Sequence, residues 1–195
     1  MKTLLGLAAS SLLMVPDHAP DKEGFIRHWL VLAPVPSAAE DAGAAEIDAD
    51  PLGGEAKLAP KAGDKAKAYD REYAWKEHAA SDYFIDFRES FGAERGEDAV
   101  AWAVTYVTAE ADLEGVKLQV GSNDQCKVYL NGSQVLKSEE TRTLDKDQNA
   151  ANVTLKKGRN VVVFKVANEK NNWQGCLRFT DASGKPVTSL KVSSK

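Results

Sequence analysis

Side chains able to do chemistry stand at suggestive spacing in two places. Asp145, Asp147 and Asn149 have the 1-3-5 pattern with which a calcium loop presents oxygens. The sixth position is Ala150 rather than Gly and the twelfth is Lys156 rather than Glu, which excludes an EF-hand. A polar turn ahead of a strand is the plainer reading. The second place is Asn123-Asp124, within "GSNDQCKVYLNG". The pair could serve a metal or a sugar, but Asn and Asp also favour turns in which the side chain bonds nearby backbone. Catalytic signatures are missing: no Gly-x-Ser-x-Gly, no His-Glu-x-x-His and no phosphate loop. The three histidines, His18, His28 and His78, are far apart in sequence. With 29 acidic residues, some carboxylate pair can always be imagined, so a hydrolase signal of that kind carries no information. The sequence predicts a protein that is not an enzyme, with metal use undefined.

The elements that must position these residues are short strands. Cys126, Val128 and Leu130 alternate with Lys127 and Tyr129, a strand with one buried face and Tyr129 outward. Asn131-Gly132 then supplies a tight hairpin turn toward Ser133–Leu136. Val116, Leu118 and Val120 form the preceding strand, with Gly121–Asp124 as a turn between the two. Ala99–Glu110 opposes large residues to small ones, which suits a strand buried on both sides. Phe25–Pro36 reads as a strand stopped by prolines. Ser37–Glu40 has capping-box spacing for a short helix, which Gly43 should limit. The stretch from Asp48 to Lys67 is punctuated by Gly and Pro and reads as mostly loop, with a domain boundary near Gly63 as one alternative. Val153 and Leu155 lead through a turn at Lys157–Asn160 into the apolar run Val161–Val166. Two short strands flank Asp181–Gly184. Short strands with closely spaced turn signals predict an all-β sandwich or barrel.

A chain of 195 residues with net charge −4 suits one soluble domain with extensions. No basic block points to nucleic acid, and no apolar run is long enough for a membrane span. Met1-Lys2 followed by an apolar run to Val15 matches a secretory signal over residues 1–19, without a clean cleavage site. A buried N-terminal helix or strand is the alternative. Export would place the protein outside the cell or in a periplasm. It would permit a disulfide between Cys126 and Cys176, although two separate buried thiols fit equally well.

"GSNDQCKVYLNG", "LKKGRNVVVFKV" and "NNWQGCLRF" resemble the galactose-binding-like β-sandwich, and in particular the sugar-binding domain of glycoside hydrolase family 2. Related exported bacterial modules are similar over more of the chain. They share a Trp strand (here Trp29 through "LAPVP"), a "LGGE" (Leu52–Glu55), a "PKAGD" (Pro60–Asp64) and a following Trp (Trp75). Ala33 and Val35 stand where that group has Gly and Phe. The resemblance implies a jelly-roll-type antiparallel sandwich, a single domain over residues 25–192, and carbohydrate binding without catalysis. Such sandwiches also serve as structural or protein-interaction modules, and often hold a structural calcium. Sugar-binding modules of this kind stack an aromatic on a pyranose face beside amides and carboxylates. Trp75, Tyr129 and Trp173 are the aromatics this implies, and Trp173 with Asn171 and Asn172 is the best local combination. The competing expectation for Trp173 is that it begins a strand and plugs the end of the sandwich.

Overall fold

The computed structural model describes residues 17–40, 43–92 and 96–194, so the apolar run to Val15 lies outside it. At its centre β6 (Ala99–Ala109) pairs antiparallel with β11 (Gly158–Asn168) along the whole length of both. On one flank lie β1 (His28–Pro36) and β4 (Lys76–Ala79). On the other are β8 (Cys126–Leu130) and β9 (Ser133–Ser138). β13 (Lys191–Ser193) joins β6 to complete a seven-stranded sheet. A four-stranded sheet packs against it in the order β10 (Asn149–Leu155), β7 (Leu113–Asn123), β12 (Gln174–Thr180) and β5 (Ile85–Asp86). The protein is an all-β antiparallel sandwich.

The large–small alternation of β6 has the expected consequence. Ala99, Ala101 and Ala103 face the core between the sheets, with Leu118, Val120, Phe164 and Leu177. Val100, Trp102, Val104 and Tyr106 face a second core on the outer side of the large sheet. The segment read as loop covers that side. It holds a 3-10 turn at Glu55–Lys57 and most of β2 (Lys65–Ala68), which pairs with β3 (Arg71–Ala74), and α1 (Gly43–Asp48) leads into it. Ile47, Ala68 and Trp75 are its buried apolar contacts. Composition hid these elements because their stability comes from the surface they cover rather than from their own periodicity.

A buried ionic clasp fixes this cover. Lys127 and Lys165 lie directly opposite each other on β8 and β11. Glu55 enters from above, its Oε1 3.3 Å from Lys127 Nζ and its Oε2 3.0 Å from Lys165 Nζ. Tyr129 donates to Oε1 at 2.8 Å and Trp102 Nε1 donates to Oε2 at 3.0 Å. Lys165 also donates to the main-chain carbonyls of Ile47 and Ala49. Burial holds the Lys165 ammonium below its ordinary pKa, opposed by the charge of Glu55.

Several boundaries differ from the sequence expectation. β1 starts at His28 rather than Phe25 and passes Pro34 before ending at Pro36, with an irregular register between Leu32 and Val35. Gly43 begins the short helix instead of limiting it; a Cβ there would stand 2.2 Å from Glu169 Oε1. Gly121 and Ser122 belong to β7 and not to a turn. A Cβ on Gly121 would lie 1.9 Å from the Asp145 carbonyl oxygen, so this glycine serves a close approach. β11 begins at Gly158, and Asn160, read as part of a turn, is fully buried within it. The Asn131-Gly132 turn is as expected, with φ of 52° and 82°. Cys126 and Cys176 are separate buried thiols. Burial raises the Cys126 pKa and pushes that of Cys176 up to about 12, so both are chemically quiet. No helix among the described residues is long and apolar enough to cross a membrane.

Candidate functional site

β7 ends at Asn123, whose neighbour Asp124 turns the chain toward β8. The two residues are buried, unlike those of an exposed turn. Asp124 does accept backbone N–H groups, but from distant segments: Oδ1 from Arg142 at 3.0 Å and Oδ2 from Glu169 at 3.2 Å. Its main-chain N donates to the Ala167 carbonyl at 3.2 Å, and its carbonyl accepts from Ser122 Oγ at 2.7 Å. Asp124 therefore ties the 141–143 loop and the end of β11 to the end of β7. Burial holds its carboxyl above the ordinary range, against the two backbone donors that lower it.

Around this tie lies an open hollow of about 400 Å³. Asn123, Asp124, Arg142, Glu169, Asn171 and Asn172 contribute to its wall. Arg142 is held by Ser122 Oγ at 3.1 Å, by Asn149 Oδ1, and by Glu140 at 3.0 Å. Its Nε has no hydrogen-bond partner. Asn123, only 5% exposed, likewise leaves its Oδ1 unpartnered. A buried polar atom without a partner costs about 1–3 kcal/mol, so two at one wall are unusual. The wall combines amides, two carboxylates and a guanidinium. It can bond hydroxyls.

The expected site residues separate into two groups. Asn171 and Asn172 stand exposed at the hollow, beside Asn123-Asp124. The aromatics do not join them. Trp173 has no exposed surface; its Nε1 donates to the Val166 carbonyl at 3.3 Å and its ring packs 5.1 Å from that of Phe87. The expectation of an exposed Trp173 is thus overturned in favour of the strand-end plug. Trp75 is 2% exposed and belongs to the outer core. Tyr129 points outward from β8 as expected, but lies under the cover with its hydroxyl on Glu55. Burial and the Glu55 carboxylate both raise its pKa.

The 1-3-5 set at Asp145, Asp147 and Asn149 is divided between other partners. Asp147 binds the Arg178 guanidinium, and Asn149 accepts from Arg142. Among the described residues, no group of three His, Cys, Asp or Glu side chains is placed to hold a metal ion. Arg142 and Glu169 escaped the sequence reading because each is one charge in a charged loop, with no spacing to mark it. No family model matches this chain, and no curated protein matches it closely enough to count as a relative.

Proposed function

We propose that this chain is an exported, non-catalytic carbohydrate-binding module of the galactose-binding-like, jelly-roll kind, secreted or periplasmic, folded as a single domain after its signal. The loop-end hollow is its sugar site. The observation that carries this reading is the buried Asn123 side chain with an unpartnered oxygen at the wall of that hollow. A sugar hydroxyl donates to such an oxygen, while Asn171, Asn172 and Glu169 bond neighbouring hydroxyls. Without an aromatic in the wall, recognition rests on hydrogen bonds and affinity is modest. A glycan array on the purified protein, with and without calcium, followed by calorimetry on the best ligand, tests the proposal. Asn123→Ala is expected to weaken binding about tenfold, the loss of one good hydrogen bond. No glycan bound in either condition overturns the proposal.

One observation favours a structural or protein-interaction role. Trp75, Tyr129 and Trp173 are all committed to packing or to the clasp. That reading predicts an array without hits and an unaltered partner profile in Asn123→Ala.

A further inference from the structure

Away from the loop-end hollow, at the tip of the β2–β3 hairpin, Tyr69 breaks two rules at once. It is the one large apolar side chain among the described residues that stands well exposed, at 38%. Its φ is 50°, a region in which a bulky side chain is rare and strained. Strain of this kind persists where the surroundings enforce it, and it clusters at functional sites. Here the two-residue turn between Ala68 and Arg71 imposes the angle, and Glu46, itself 3% exposed, holds the side chain. The Tyr69 hydroxyl donates to Glu46 Oε2 at 2.6 Å, while Oε1 accepts the Ala38 main-chain N–H at 2.8 Å. One buried carboxylate thereby fixes the ring on one side and the backbone after β1 on the other.

Between them runs a groove. A hollow of about 490 Å³ lies beside Tyr69, Ser37 and Asp70. A second, of about 630 Å³, lies beside Pro34 and Glu97. The two share Pro36, Arg71 and Tyr73, so they form one elongated depression. We propose that this groove binds a neutral glycan chain, with the exposed ring of Tyr69 as its stacking platform and Tyr73, half-buried against the outer core, in its floor. This rests on the carbohydrate reading above and adds a second, separate site to it.

Three features select this ligand. The Tyr69 hydroxyl is taken by Glu46, so the residue offers a ring face rather than a donor. That suits the C–H face of a pyranose. A proline-rich peptide, in contrast, needs aromatic donors for its carbonyls as well as ring faces. The elongated shape fits several linked rings better than one. With Glu72 paired to Lys65, the carboxylates of Asp70 and Glu97 still outnumber the guanidinium of Arg71, so the groove does not attract polyanions.

Affinity gel electrophoresis of the full chain in soluble polysaccharides tests the proposal, with neutral β-glucan, xylan and galactomannan against pectate and alginate. The parent protein is expected to be retarded by at least one neutral polymer and by neither polyanion. Tyr69→Ala and Tyr73→Ala are expected to weaken retardation at least tenfold. Tyr69→Phe keeps the ring and is expected to retain most of the binding, although its melting point falls because Glu46 loses a partner. If Tyr69 serves only to satisfy Glu46, Tyr69→Ala and Tyr69→Phe lower the melting point alike and leave retardation unchanged, which overturns the groove. Retardation that Asn123→Ala abolishes and the tyrosine variants do not touch also overturns the groove while sparing the functional reading. A parent that binds no glycan overturns both. Binding of a polyproline peptide in place of glycan, lost in Tyr69→Ala, overturns the choice of ligand.

Discussion

Asp124 and Trp173 show how differently a single residue can be judged from sequence and from its surroundings. Asp124 was legible as an acceptor of backbone N–H groups, because carboxylates beside a chain reversal usually are. Which N–H groups was not legible, since Arg142 and Glu169 are brought to it only by the sheet pairing. Asp124→Ala leaves both donors without their acceptor and is expected to cost about 3 kcal/mol in a denaturant titration. Trp173 deceives in the opposite direction. Asn171, Asn172 and Gln174 surround it with polar sequence, yet the ring turns inward against Phe87. Trp173→Ala is expected to open a cavity and cost roughly 3–5 kcal/mol, without direct effect on any ligand. A mutant that melts like the parent while losing a sugar would return Trp173 to the surface.

Strands and hairpins follow their sequence signals where the signal is local. The β8–β9 turn needs positive φ at both Asn131 and Gly132, and those residue types announce it. Gly132→Val is expected to destabilise by about 1 kcal/mol or more, measured as a lower urea midpoint, because a β-branched residue resists that conformation. β6 was legible for a similar reason: its alternation describes two buried faces. The end of β7 was not. Gly121, Ser122 and Asn123 are turn-type residues, and only the nearby Asp145 carbonyl explains why glycine belongs inside that strand. The β2–β3 hairpin was hidden for another reason: Pro60, Gly63 and several lysines mask a short element that folds onto a surface supplied by β6.

The three histidines, scattered in sequence, gather in the whole molecule on one side of the large sheet. The rings of His18 and His28 stack at 3.4 Å, and both border a hollow with His78. Burial first, then the nearby charges of His18, Arg27 and His78, holds His28 below its ordinary pKa; burial alone does so for His78. The unfolded chain therefore takes up protons first, near pH ~6.5, while the folded protein resists. Stability is fully present above that pH and is lost as pH falls toward the folded values. Melting curves between pH 7.5 and 5.5 (about one unit either side of the free imidazole value) should show the decline, and His28→Gln should flatten it. The clasp has a consequence of a different kind. Lys127 and Lys165 confront each other across the β8–β11 pair, and like charges in that position oppose pairing. Glu55, helped by Asp48 at 3.6 Å from Lys127 Nζ, is therefore the counter-ion that lets β8 close on β11, as well as a fastening for the cover. Lifting residues 43–58 would leave two bare ammonium groups face to face, so the cover and the β8–β9 flank should open as one cooperative unit. In native-state hydrogen exchange, amides of Lys127 and Tyr129, which face β11, should then share a single opening free energy with that of Leu58, and Glu55→Gln should lower all three together.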